Sequence, residues 1–223
     1  MKVVIDPGHG GQDPGASGPA SVEKNIVLSI AQKIPEYLAG HGIDVLMTRG
    51  NDILVSLADR CSFANKAGAD AFVSVHCNAG PPTAHGLEVF HYPGSDVGKR
   101  LADFVRTGVL RLTPFADRGI KEARYYVLRH TVAPACLIEC GFLTNMQDEE
   151  WLISEGVQTR IAQGIAAGIA RFFNVPWVNP WETEQQQAMA ALAKKARFNQ
   201  PHKPDEVVNL GLLAVIFKRM GLV

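Results

Sequence analysis

Excess charge of either sign is missing: 22 lysines and arginines face 22 aspartates and glutamates in a chain of 223 residues. Without a basic field there is no electrostatic footprint for nucleic acid or anionic lipid, so the expected partner is a specific one. Nor does any apolar run approach the ~20 residues needed to cross a bilayer, which excludes membrane insertion through a helix. The opening Met1-Lys2-Val3-Val4-Ile5-Asp6 runs straight into a strand pattern, without the apolar core and small-residue cleavage site of a secretory signal. Synthesis in the cytoplasm without a signal peptide is therefore expected. Cysteine is scarce too, and Cys61, Cys77, Cys136 and Cys140 show no zinc-finger spacing. They read as buried free thiols.

What the chain does have is apolar residues, 47% of the total, enough to build one ordinary α/β core without staples. Residues 2–6, with the continuous apolar run Val3-Val4-Ile5 and closed by Pro7-Gly8, read as a buried strand. Ser21 is the expected N-cap of a helix over 22–38, with Val27, Ile30, Ile34 and Leu38 at helical spacing, Pro35 kinking it, and Gly40 and Gly42 as stops. A strand over 43–48 follows, then a helix opened by the capping box Ser56…Asp59 and ended by Gly68. Further strands are read over 71–76, near 86–92 and over 135–140, with helices over 96–112 and 157–173; one helix and a short loop account for 94–124. Strands separated by helices predict an α/β fold, a mostly parallel central sheet flanked by helices on both faces. A composition break after Asn174 divides the chain into a domain over 1–174, a linker over 175–181 and a small helical C-terminal module over 182–223.

Candidate chemistry gathers where the strands end. His9 lies in the glycine-rich turn Asp6-Pro7-Gly8-His9-Gly10-Gly11, and His76 closes the apolar strand Phe72-Val73-Ser74-Val75-His76. Either imidazole alone is compatible with a packing role. Glu23 in a first helical turn is explained by the helix dipole alone. Glu139, within Leu137-Ile138-Glu139-Cys140-Gly141-Phe142, has apolar neighbours and must be paired, protonated or metal-linked. A buried ion pair with Arg49 is its structural alternative. Two imidazoles and two carboxylates are together the inventory of a catalytic zinc site that keeps one position open for water.

The Asp-Pro-Gly-His-Gly-Gly opening, Glu23-Lys24-Asn25, Thr48-Arg49, Ser56-Leu57 with Arg60 and Ala64-Asn65, Ser74-Val75-His76-Cys77-Asn78, Gly86-Leu87-Glu88-Val89-Phe90 and Glu139-Cys140-Gly141-Phe142-Leu143-Thr144-Asn145 run in family order. Together they resemble the zinc-dependent N-acetylmuramoyl-L-alanine amidases over residues 2 to about 173. The resemblance implies Zn2+ as cofactor, His9, Glu23 and His76 as its ligands, and Glu139 as the catalytic carboxylate. The implied substrate is peptidoglycan, cut at the amide between muramic acid and L-alanine. Cys77 and Cys140 stand beside the site where the family varies, and strand alternation points both thiols away from it. His85 and His130 read as loop histidines, with substrate contact as the alternative. The short 94–124 segment leaves little chain for the plugging helix of some family members, so an open, constitutively active site is expected.

Residues 181–220 faintly resemble a surface-layer-homology repeat, which implies a module that binds a cell-wall polymer. An amphipathic hairpin that packs on the domain or pairs two copies into a dimer is the other reading. A wall-cutting enzyme without an export signal resembles a phage endolysin, acting on the host wall after release and lysing the cell; a bacterial autolysin is the alternative. A zinc peptidase acting on the stem peptide would use the same groups, and a non-catalytic wall-binding protein is a third reading.

Overall fold

Val3, Val4 and Ile5 are all fully buried in strand β1 (Lys2–Pro7), as suits β-branched residues in a strand covered on both faces. A computed structural model describes residues 1–177. After β1 come α1 (Glu23–Leu38), β2 (Asp44–Met47), α2 (Leu57–Ala67), β3 (Ala71–Asn78), β4 (Leu87–His91), α3 (Asp96–Leu110) and β5 (Asp117–Glu122). Then follow α4 (Tyr126–His130), β6 (Ala135–Phe142), α5 (Met146–Ile153) and α6 (Glu155–Phe172). Val175 and Trp177 still pack on the core, with the Trp177 ring stacked on His41 at 5.4 Å. The helical module read over 182–223, with its wall-binding and pairing alternatives, lies outside the described residues.

The six strands form one sheet in the order β2-β1-β3-β6-β4-β5. Pairs β1–β2, β1–β3, β3–β6 and β4–β5 are parallel, whereas β4 runs antiparallel to β6. The sheet is therefore mixed, which corrects the mostly parallel sheet expected above. The reason lies between β3 and β4. Residues 79–86 are fewer than the dozen or so that a parallel crossover requires, so β4 returns in the opposite direction and β6 later fills the gap. The 94–124 segment also differs from expectation, because Asp117–Glu122 is an edge strand rather than loop.

Alternation along the strands creates two cores, with helices on both faces. On one face Val3, Ile5, Val73, Val75 and Ile138 pack with α1, α3 and α6; on the other, Val4, Phe72 and Leu137 meet Cys61 and Ala64 of α2 and Val127 and Leu128 of α4. Each such valine, leucine or isoleucine contributes about 1.5–3 kcal/mol relative to exposure. Helices α3 and α6 approach so closely that a Cβ on Gly108 would lie 2.2 Å from the Gly164 carbonyl oxygen.

Helix α2 begins as its sequence reads, with Ser56 Oγ accepting the Asp59 N–H at 3.1 Å, and ends at Gly68 in the left-handed region, φ 62. Helix α1 does not. Val22 holds its N-cap without a side-chain bond, and Ser21 instead donates to Glu149 Oε1 at 2.6 Å. The same oxygen accepts the Ala20 N–H at 2.9 Å, so a distant acceptor in α5 pins the loop leading into Glu23.

This connectivity decides where a ligand binds. From β1 the chain passes through α1 on one face to β2, then through α2 on the other face to β3 on the far side of β1. Strand order reverses between β1 and β3, and a crevice opens beyond their carboxyl ends.

Candidate active site

At the carboxyl end of β1 the chain turns sharply: His9 adopts φ 59, uncommon for a residue with a side chain. Two buried arginines hold the turn. Arg49 donates to the carbonyls of Pro7 at 3.0 Å, Gly8 at 2.7 Å, Lys24 at 2.9 Å and Asn51 at 3.1 Å. Arg60 donates to the carbonyls of Pro7 at 2.6 Å, His9 at 2.7 Å and Val55 at 3.0 Å, and to Asp6 Oδ1 at 2.7 Å. Thr48 and Ser74 hydroxyls complete the Asp6 carboxylate at 2.6 and 2.7 Å. Arg49 is thus committed to backbone carbonyls, and the ion pair with Glu139 weighed from sequence does not form.

The turn aims His9 at two groups from other elements. His9 Nε2 lies 3.1 Å from Glu23 Oε1, and His76 Nδ1 lies 2.9 Å from the same oxygen, the two rings meeting edge to face with centroids 4.9 Å apart. One donor atom from each of the three residues falls within 4.8 Å of the others. Adjacent corners of a zinc tetrahedron with bonds of ~2.0–2.1 Å are about 3.3 Å apart, so the donor set fits a zinc ion. His9 Nδ1 sits 2.9 Å from Asp13 Oδ2, which orients the ring and turns Nε2 inward. Glu23 Oε1 accepts the Cys77 N–H at 3.0 Å, and Oε2 accepts the Ala16 N–H at 2.7 Å.

Burial works to raise the Glu23 carboxyl, but the hydrogen bonds of His76 and His9 outweigh it and hold it well below the usual carboxylate range. Burial likewise works to lower His9, and the bonds and charges of Glu23 and Asp13 overcome it, raising His9 to about 9.

Glu139 arrives from β6, where it is the register partner of His76 on β3. Its side chain reaches the same cleft, and its Oε2 is buried without a hydrogen-bond partner among the described residues. Burial is the main cause that pushes Glu139 up to about 7, with the charges of Glu23 and Glu88 adding to it and the imidazoles opposing. The cleft has a volume of about 540 Å³ and is lined by Asp6, His9, Asp13, Arg60, His76 and Glu139, together with the segments Leu54–Leu57 and Tyr125–Val127. A carboxylate that can take a proton, beside three groups able to hold a metal, is equipped for hydrolysis.

Residues 3–171 match the family described as N-acetylmuramoyl-L-alanine amidase. The chain belongs to this family. It is 42% identical over 180 residues to the N-acetylmuramoyl-L-alanine amidase CwlM of Bacillus licheniformis, covering 78% of this chain and 70% of the relative. It is 37% identical over 180 residues to the endolysin of Bacillus phage SPP1, covering 78% and 66%. Among solved structures it is similar to the amidase AmiC2 of Nostoc punctiforme, with a TM-score of 0.75 and 39% identity over 78% of this chain and 97% of that one.

Within the amidase fold, His9, His76 and Glu139 line one cleft, and the buried Glu23 meets both imidazoles from behind its surface. The other weighed residues do not join them: His85 is exposed beside the Thr83 carbonyl, and the exposed His130 lies against the Tyr126 ring at 4.2 Å. Cys77 and Cys140 are buried in the opposite core, where burial pushes both thiols well up. Sequence reasoning missed Asp13, Arg60 and the backbone clamp made by Arg49, although Gly8 and Gly15 carried a signal. A Cβ on Gly8 would lie 2.2 Å from His76 Cε1, and one on Gly15 would lie 2.5 Å from Glu23 Oε2. Only glycine lets the backbone pass so near these imidazole and carboxylate groups.

Proposed function

We propose that this amidase hydrolyses the bond between the lactyl group of N-acetylmuramic acid and L-alanine in peptidoglycan, with His9, Glu23 and His76 holding zinc and Glu139 moving the proton. The observation that carries the reading is the convergence of two imidazoles on one Glu23 oxygen, beside a carboxylate whose Oε2 has no partner among the described residues.

When bound, zinc supplies Lewis acidity, lowering the pKa of water to about 7 and polarising a carbonyl. The chain's own groups do the rest. Asp13 fixes the His9 ring, and the Arg49 and Arg60 clamps hold the turn that presents it. Glu139 accepts the proton of the attacking water and returns it to the alanine nitrogen as the C–N bond breaks, because an amine leaves poorly without that proton. The products are a lactyl carboxylate on the glycan and a free amino group on the stem.

Digestion of purified walls tests this directly. Mass spectrometry should show intact stem peptides with free N-terminal alanine. New amino groups within the stem, with muramic acid still substituted, would replace the amidase by the zinc-peptidase reading.

Lysis of a host cell is the setting we assign, with the protein made in the cytoplasm and reaching the wall after release. The similarity to the SPP1 endolysin supports it. Cells producing the protein should remain intact until the membrane is permeabilised and then lyse within minutes, followed by turbidity. Delivery to the wall before permeabilisation would favour the autolysin alternative.

A further inference from the structure

Exposed apolar side chains cluster around the cleft. Leu54, Leu57, Tyr125 and Tyr126 are 60%, 53%, 42% and 41% exposed, and all four line it. Large apolar groups left in water around a catalytic crevice mark contact with a ligand. The two segments that carry them differ in chemistry. One is aliphatic, its Val55 carbonyl held by Arg60 and its Ser56 capping α2. The other is aromatic: Tyr125 rests edge-on against Phe90 at 5.2 Å, Tyr126 lies against His130 at 4.2 Å, and Val127 and Leu128 anchor α4 in the core. Both rings are therefore supported from behind while remaining open to the cleft.

The substrate has two chemically different flanks. On one flank of the scissile amide is a peptide beginning with a methyl-bearing residue; on the other is a pyranose. A pyranose exposes a patch of C–H bonds, weakly positive, and rings its edge with hydroxyls. The negative face of an aromatic ring attracts the first, and a phenol hydroxyl can bond the second. A cleft of about 540 Å³ has room for the sugar as well as the amide. We infer that Tyr125 and Tyr126 form the subsite for the muramic sugar and make the enzyme select glycan-linked peptide over the same peptide carrying only a lactyl group. This rests on the amidase reading above.

The test compares two soluble substrates, a muramyl tetrapeptide and the matching lactyl tetrapeptide, by kcat/KM for release of the alanine amine in the zinc-loaded full chain. Wild type should favour the muramyl substrate. Tyr126→Leu and Tyr125→Leu should each reduce that preference about five- to tenfold through KM, the worth of one aromatic face, with bound zinc unchanged by metal analysis. Tyr126→Phe should keep most of the preference, because it keeps the ring. Tyr125 also packs on Phe90, so Tyr126→Leu decides the matter should Tyr125→Leu unfold. An unchanged ratio in Tyr126→Leu overturns the inference, as does proportional loss on both substrates. A ratio that moves in Leu54→Ala but not in Tyr126→Leu places the sugar on the aliphatic segment and overturns it too. Wild type that cleaves neither substrate overturns the amidase reading and this inference together, whereas cleavage with an unaltered ratio overturns the inference alone.

Discussion

Chelation by EDTA should abolish hydrolysis of purified walls, and added zinc should restore it. An unactivated amide requires a stronger nucleophile than water at neutral pH, and among the described residues the serine that lines the cleft, Ser56, is committed to capping α2 and to Asp59. The cysteine nearest the site in sequence, Cys77, is buried in the opposite core with its thiol held protonated by burial. The same dependence should follow from the ligands one at a time. His76→Ala would remove one of the three proposed donors and leave the Glu23 carboxylate, 3% exposed, without one of its two imidazole partners, so zinc content and activity should fall together. Because a ligating imidazole must be neutral and His9 is raised to about 9 before the metal enters, zinc uptake releases a proton. Affinity should therefore weaken by up to about tenfold per pH unit as pH falls below that value. Titration calorimetry in buffers of different ionisation enthalpy measures the proton release. Full activity in a sample shown to be metal-free would sink the mechanism.

Glu139→Gln should keep the fold and the zinc but lose turnover by at least about a hundredfold, the usual contribution of a general acid–base group. Glutamine fills the same space beside His76 and cannot take a proton. The pH profile of the unaltered enzyme should report the same group. Burial raises Glu139 from 4.5 to about 7, and a neighbouring cation moves it back down, so an acid limb should fall between those values. On that limb the base is protonated, and kcat declines about tenfold per pH unit as pH drops. Were Glu139→Gln to lose zinc while His76→Ala kept it, the two roles would have to be exchanged.

How much of this was legible in the chain depended on how local the cause was. The strand at 2–6, the capping box Ser56…Asp59, the Gly68 stop and the buried run of β6 rest on neighbours in sequence, and each was readable from them. Strand β5, Asp-Arg-Gly-Ile-Lys-Glu, was not, because an edge strand is protected by charge and lacks the apolar alternation that marks interior strands. The Ser21 cap failed for a related reason: Glu149, distant in sequence, out-competes the local N–H for its hydroxyl.

For the site, the residue types and their strand-end positions already implied His9, Glu23, His76 and Glu139 through motif order, and the glycines around His9 marked a close backbone approach. The sequence by itself therefore determined the chemical inventory, the family and the elements that carry each group. Only the tertiary structure decided the direction of β4, the left-handed turn of His9 under the Arg49 and Arg60 clamps, and the aromatic wall at Tyr125 and Tyr126. These depend on carbonyls, strand ends and rings contributed by segments far apart in sequence. Such contacts exist only once the sheet has closed around them.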